Sequence, residues 1–290
     1  MCFLCTAGSD DIKLKKCTAC HLVRYCSVKC QRDHWKQHKK ECKMRAAELR
    51  DEILFKQPEN NHYGDCPICC LPLPIELEKS GLYSCCSKRI CCGCNHTNQM
   101  RETDERLHPK CPFCRTVMPD TQEEYNKRMV KRFESNDPVA VYSMGRKRYK
   151  EGDYETAFEY FTRSAALGDV EAQYQLSVLY HTGKGVEKDE KKVLYHTEQA
   201  AIGGHPFARH NLGCFEEKLG GRGRAAKHYI IASKLGFDDS LECVTKLYKD
   251  GVVTKDDFAA ALRGHKAAIE ATKSAQREEA YAYKLAERAN

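Results

Sequence analysis

Five cysteines crowd the ten residues CCSKRICCGC at 85–94. Thiols at such density can cycle between redox states, staple loops as disulfides, or hold metal as thiolates, and the spacing of the other cysteines weighs among these. Of the 19 cysteines, only Cys214 and Cys243 lie beyond residue 114. The rest include the pairs Cys2-x2-Cys5, Cys17-x2-Cys20, Cys26-x3-Cys30, Cys66-x2-Cys69, Cys91-x2-Cys94 and Cys111-x2-Cys114, with His38-x3-Cys42 completing the first group. A two-residue gap lets one tight turn aim both sulfurs at one ion. A three-residue gap does the same on a helix, where i and i+4 share a face. Redox use of the Cys-x2-Cys pairs needs a thioredoxin-like βαβ setting that this short, loop-rich stretch lacks. MCFLCTAGSDDIKLK has no basic start followed by an apolar run, and no stretch is apolar enough to span a membrane. A reduced cytoplasmic or nuclear setting is therefore expected, with zinc on thiolates rather than disulfides.

The first forty-two residues supply four ligand pairs, enough for two tetrahedral ions. Their order and spacing, CSVKCQRDHWKQHKKEC above all, resemble the MYND zinc finger over essentially residues 2–42. The resemblance implies a cross-brace, with Cys2, Cys5, Cys26 and Cys30 on one Zn2+ and Cys17, Cys20, His38 and Cys42 on the other. The family register favours His38 over His34, one turn earlier, and leaves His34, like His21, as a surface histidine. Such a small unit buries little core, so metal binding supplies most of its folding energy. MYND domains look like readers of short proline-containing peptides, which places Gln31 and Trp35 in a shallow groove, an exposed indole being a good anchor for proline. The other reading of Trp35 is a cover for the zinc core. The basic run from Lys36 through Lys39, Lys40 and Lys43 to Arg45 reads as a solvated helix face.

CPIC at 66–69 and CPFCR at 111–115 resemble the opening and closing knuckles of a RING finger, and Cys91-x2-Cys94 fits its third. The resemblance implies that Cys66, Cys69, Cys91 and Cys94 share one ion, while Cys111 and Cys114 need two further ligands. In the common register Lys88 stands at the histidine position, and an ammonium cannot ligate zinc. The all-cysteine RING subclass fits better, with Cys86 five positions before the third knuckle. Its remaining ligand falls at Ser84, one place from the available thiol of Cys85. Cys85 and Cys86 are therefore expected to complete the second site as a strained vicinal pair, with His96 or His108 as substitutes for Cys85. Cys70 and Cys92 are left over. Four zinc ions are expected, two per module. Zinc on four thiolates carries two net negative charges, and zinc on three thiolates and a neutral histidine carries one, so the formal +7 falls to near neutrality. The basic balance is then weak evidence for a nucleic-acid partner.

RING ubiquitin ligases carry no covalent catalytic residue; they bind a charged conjugating enzyme and orient its thioester. By the resemblance, Ile68 and Pro112 form the docking surface for that enzyme, and Arg115 matches the linchpin that hydrogen-bonds both partners. A purely structural zinc module is the other reading, and the sequence leaves both open.

Elements on either side must hold these knuckles. KMRAAELRDEILFK at 43–56 is rich in helix formers, with an apolar stripe of Leu49, Ile53 and Leu54, and QPENNHYGD breaks it. PDTQEEYNKRMVKRFESN at 119–136 is acidic first and basic last, as a helix dipole favours. From residue 137 the chain repeats with a period of 32 to 36 residues: Ala140, Ala172 and Ala208 each open an A-x3-[LM]-[GS] pattern, and Gly168, Gly204 and Gly236 close the copies. GKGVEKDEKK at 183–192 closely resembles the connecting turn of Sel1-like repeats, relatives of the tetratricopeptide repeat, and the likeness runs over roughly 137–270. It implies a helical solenoid whose concave face holds a partner protein. Tyr149, Tyr180, Tyr195 and His196 are more simply core than groove, and Cys214 and Cys243 are buried apolar fillers. The charged, alanine-rich end suits an exposed tail helix.

The chain thus reads as multidomain: a MYND-like finger (1–42), a helical linker (43–65), a RING-like finger (66–115), a connecting helix (116–136), Sel1-like repeats (137–270) and a tail helix (271–290). The fold class is two small cross-braced zinc modules followed by an all-α solenoid. The expected function is a zinc-binding interaction scaffold whose partners are proteins or peptides, with no membrane partner. Its second module either recruits a ubiquitin-conjugating enzyme, with substrate held by the repeats or the MYND groove, or does no chemistry. In the latter case the chain is a transcription-linked adaptor or assembly factor reading proline-containing peptides. A MYND-bearing lysine methyltransferase is disfavoured, because no SET-like cofactor motif lies between the zinc modules and the repeats.

Overall fold

A computed structural model describes residues 14–289, so Cys2 and Cys5 lie outside the described residues. The chain divides into two compact units, 1–56 and 57–290. In the first, β1 (Lys15–Lys16) pairs antiparallel with β2 (Arg24–Tyr25), Lys15 opposite Tyr25. The helix α1 (Val28–Leu54) follows. Ser27 starts it by accepting the Cys30 N–H on its hydroxyl at 3.2 Å, satisfying one of the first-turn donors that a helix leaves unpaired. Strong helix formers in KMRAAELRDE carry it on to Leu54. The buried cluster of this unit is Cys17, Cys20, Tyr25 and Cys42. Three thiols and one ring are too little apolar surface to seat so long a helix against a hairpin, which leaves the work to metal.

The second unit opens with another hairpin, β3 (Ser80–Tyr83) against β4 (Lys88–Cys91), in the register Ser80 to Cys91 and Tyr83 to Lys88. The helix α2 (Cys92–Asp104) continues directly from β4. Its core mixes Leu73, Tyr83 and Ile90 with the thiols of Cys66, Cys91, Cys94 and Cys111. The connecting helix α3 (Gln122–Glu134) starts on a Thr121 cap. Helix pairs follow: α4 (Pro138–Glu151) with α5 (Tyr154–Ala166), α6 (Val170–Thr182) with α7 (Glu190–Ile202), and α8 (Pro206–Lys218) with α9 (Arg222–Ser233). After them come α10 (Asp238–Lys249), α11 (Lys255–Ala271) and α12 (Ala275–Ala289).

Asp137, Asp153, Asp169 and Asp189 cap the first four helices of the array through their carboxylates. The glycine of the repeat pattern has a steric cause. A Cβ on Gly145 would fall 2.8 Å from the Phe161 ring, and one on Gly213 would fall 2.4 Å from the Tyr229 ring. Each of these two copies therefore seats an aromatic ring of the partner helix on bare backbone. Tyr180 is buried with its ring stacked on His196, whereas Tyr195 is exposed. Among the described residues, no helix is long and apolar enough to cross a membrane. The tail departs from expectation: α12 is not an exposed extension but packs along α2, with Arg277 and Ala280 buried. The bare backbone of Gly93 on α2 allows that close approach, which charge composition alone could not reveal.

Candidate metal centres

Three sets of four side chains converge among the described residues: Cys17, Cys20, His38 and Cys42; Cys66, Cys69, Cys91 and Cys94; and Cys85, Cys86, Cys111 and Cys114. Within each set the donor atoms all lie within 4.8 Å of one another. The pairs that meet are distant in sequence: Cys17 Sγ lies 3.7 Å from Cys42 Sγ, Cys69 Sγ 3.8 Å from Cys91 Sγ, and Cys86 Sγ 3.8 Å from Cys111 Sγ. Cys26, just before the Ser27 cap, and Cys30, on the opening turn of α1, bring their sulfurs to 3.5 Å; the other two ligands expected with them, Cys2 and Cys5, lie outside the described residues.

The Cys-x2-Cys knuckles at 17, 66 and 111 share one construction that spacing alone does not disclose. The first cysteine's N–H is bonded to a carbonyl five or six residues on (Val23, Leu71, Thr116), and its own carbonyl receives the N–H of the residue after the second cysteine. That residue is left-handed in all three: His21 at φ 60°, Cys70 at 54° and Arg115 at 61°. Cys70 thus has a place in the turn without being a ligand. Cys85 and Cys86 sit in the turn between β3 and β4, where the Ser87 N–H returns to the Tyr83 carbonyl at 2.8 Å. An irregular turn can aim adjacent thiols the same way, which a strand cannot, since neighbours on a strand face opposite sides. Cys85 Sγ comes within 3.3 Å of Cys114 Sγ. His96 instead packs tilted against the Tyr283 ring, and His108 is exposed.

Each set holds a thiol whose ionisation is favoured and at least one that is held protonated. Burial opposes ionisation of Cys17, but hydrogen bonds from the Cys20 and Ala19 backbone and from His38 bring it down to about 6, while burial pushes Cys42 up to about 12. The hydrogen bond with Cys91 takes Cys66 down to about 4, and burial holds Cys94 up at about 12. Cys114, despite burial, is lowered to about 6 by Thr116, while burial raises Cys85 and lifts Cys86 to about 11. One anion blocks the next until a dication joins them. Such all-sulfur and sulfur-plus-imidazole donor sets fit zinc, and the chain's zinc cofactor follows from that chemistry.

The structure also corrects the expectation for His34, which is buried rather than on the surface: its Nδ1 lies 2.8 Å from the Tyr25 hydroxyl and its ring stacks on His38. The i, i+4 spacing of the two histidines already put them on one helix face. Trp35 is 42 % exposed on α1, one turn from the half-buried Gln31. Ile68 is exposed and Pro112 buried. Both line one groove with Arg115, whose guanidinium donates to Asn98 Oδ1 at 2.9 Å. Glu102, unanticipated, accepts the Lys110 N–H at 3.2 Å and so fixes the approach to the last knuckle.

A fourth cluster joins the segment before the second zinc module to the repeats. His62 Nε2 donates to Glu171 Oε1 at 2.7 Å, the Tyr63 hydroxyl to the same oxygen at 2.6 Å, and the Tyr142 hydroxyl to Oε2 at 3.1 Å. His205 Nε2 lies 3.8 Å from Oε2 and stacks on His62. His205 Nδ1 accepts the Ala208 N–H, which puts its proton on Nε2, the atom a metal would need. The group is therefore a hydrogen-bond clasp, not a metal site. Burial pushes the Glu171 carboxyl up, but the neighbouring His205 imidazole and the hydrogen bond from His62 outweigh it and hold the group well below the usual carboxylate range. Burial lowers His205.

Two outcomes follow. Native mass spectrometry should count four zinc ions per chain, and Cys86→Ser should leave three; three in the unaltered protein would contradict the second cysteine quartet. For the clasp, both folded-state values lie below the unfolded ones, 6.5 for histidine and 4.5 for glutamate. Its contribution is therefore complete above pH 6.5 and declines as acid protonates first His205 and then Glu171 in the unfolded chain. Glu171→Gln should cost about 1.5–3 kcal/mol at neutral pH. In urea unfolding, its difference from the unaltered protein should shrink on acidification, and a pH-independent difference would count against the clasp.

Known families match two parts of the chain. The MYND finger model matches residues 2–42, and the Sel1 repeat model matches residues 139–169 and 170–205. Human histone-lysine N-methyltransferase SMYD3 is 44% identical over 43 residues, 15% of this chain and 10% of that protein. Helicobacter pylori HcpC is 41% identical over 56 residues, 19% of each chain. The chain thus spans a fifth or less of the length of these relatives. A Sel1 repeat protein from Oxalobacter formigenes superposes with a TM-score of 0.45 at 23% identity, covering 62% of this chain and 72% of that one. The protein carries a MYND finger and Sel1 repeats, with further cysteine clusters whose donor sets fit zinc.

Proposed function

We propose that the second zinc module recruits a ubiquitin-conjugating enzyme and that the repeats or the MYND groove hold the protein to be modified. The observation that carries this reading is the groove between the two cysteine quartets, lined by Ile68, Pro112 and Arg115. Exposed Ile68 and Phe113 offer apolar surface beside it, and Arg115 can exchange its bond to Asn98 for one to a docked partner. No covalent intermediate on this chain is needed; orientation of the thioester supplies the rate. Incubating the zinc-loaded protein with activating enzyme, ubiquitin, ATP and a panel of conjugating enzymes should yield autoubiquitination. Ile68→Ala should reduce it at least about tenfold, as loss of an interface anchor does. Absence of product with every conjugating enzyme would refute the reading.

A second reading rests on Trp35. Its exposure on α1 beside Gln31 supports peptide capture over a role as core cover. Selection from a proline-rich peptide library should return binders that Trp35→Ala weakens about tenfold or more with zinc content unchanged. Failure to select any peptide would count against it. The methyltransferase activity in the relative's name is not proposed here, since the likeness covers a tenth of that protein.

A further inference from the structure

The last helix is built onto the first cysteine quartet of the second module. Along α2, the His96 and Tyr283 rings lie 4.9 Å apart, and Lys284 Nζ donates to the Glu78 carbonyl at 3.2 Å. The closest approach is at Gly93, where a Cβ would fall 2.9 Å from the Arg277 nitrogen and 2.9 Å from the Gln276 carbonyl carbon. Gly93 stands between Cys91 and Cys94, so α12 lands on the ligand knuckle itself. Cys92, the surplus thiol beside it, directs its sulfur to the Arg277 carbonyl at 3.8 Å.

Arg277 then turns inward and is 5 % exposed. Its guanidinium donates to the carbonyls of Pro72 at 2.7 Å, Thr272 at 2.7 Å and Leu71 at 3.1 Å, and to Cys69 Sγ at 3.3 Å. Three of these four acceptors are neutral. Among the described residues no carboxylate pairs with it, and its Nε is buried without a partner. A buried guanidinium needs an anion, because desolvation of an uncompensated charge is costly. The anion at hand is sulfur. Zinc on four thiolates carries two net negative charges and supplies it.

We propose that Arg277 is the outer-sphere counter-ion of the zinc–thiolate centre formed by Cys66, Cys69, Cys91 and Cys94, so that metal occupancy and docking of α12 are one coupled event. Outer-sphere donors to zinc ligands fix ligand orientation and tune the charge on the metal. The coupling is reciprocal. Loss of zinc removes the metal that holds all four sulfurs as thiolates beside a buried cation, which favours release of the helix, and loss of the helix exposes Cys69 and weakens the ion's hold. The inference is independent of ubiquitin transfer, although Gln276 also borders the proposed docking groove.

The test is zinc release to a chelating dye from the full chain, paired with hydrogen exchange. In Arg277→Gln, one ion of four should leave about 10–100-fold faster while three keep their rates. Arg277→Lys, which keeps the charge but fewer donors, should fall between. Exchange protection of residues 275–287 should drop in Arg277→Gln and also in Cys91→Ser, with α4 to α9 unchanged as the check on folding. Release of all four ions at unaltered rates from Arg277→Gln would overturn the proposal. So would full protection of α12 in Cys91→Ser.

Discussion

Four thiols whose sulfurs lie within 4.8 Å of one another repel as anions and stay partly protonated until a dication joins them. Hydrogen bonding and burial make the thiols of each set unequal on top of that repulsion: the bond with Cys91 lowers Cys66, and burial raises Cys94. Zinc reverses its sign and turns three clusters of reluctant acids into cross-links. In the first unit little else is available to hold the hairpin to α1, since its buried cluster is three thiols and Tyr25. In the second module Leu73, Tyr83 and Ile90 add apolar packing, but four of the seven buried cluster members are cysteines.

The repeats obey different physics. They need no metal, because aspartate caps, ring-on-glycine packing and local helix pairing stabilise each copy. Within the second unit the two kinds of structure meet at polar joints placed far apart along the chain. The clasp of His62, Tyr63 and Tyr142 on Glu171 ties the leading segment of the module to the first repeats, and Arg277 ties the end of the array to Cys69. Built this way, the second unit fixes its cysteine-rich module against its helical array.

Short-range ligand spacing made the knuckles legible in sequence, because a Cys-x2-Cys turn is complete within six or seven residues and carries its own geometry. The repeats were legible through their period. Partners that meet from opposite ends were not: His62 and Glu171 are 109 residues apart, and Arg277 and Cys69 are 208 apart, separations that follow no spacing rule. The misplacement of α12 has the same origin, since a charged, alanine-rich helix looks solvated unless the Gly93 gap that receives it is known. His34 is different. Its phase relative to His38 pointed inward, and the expectation of a surface histidine gave register more weight than helix geometry.

The central claim is that zinc on sulfur organises the first two modules, and X-ray absorption at the zinc edge tests it most directly. The account predicts a first shell dominated by sulfur at about 2.3 Å, averaging fifteen sulfurs and one nitrogen over four ions. A shell rich in oxygen or nitrogen, or a sulfur count too low to fill the quartet of Cys85, Cys86, Cys111 and Cys114, would contradict it.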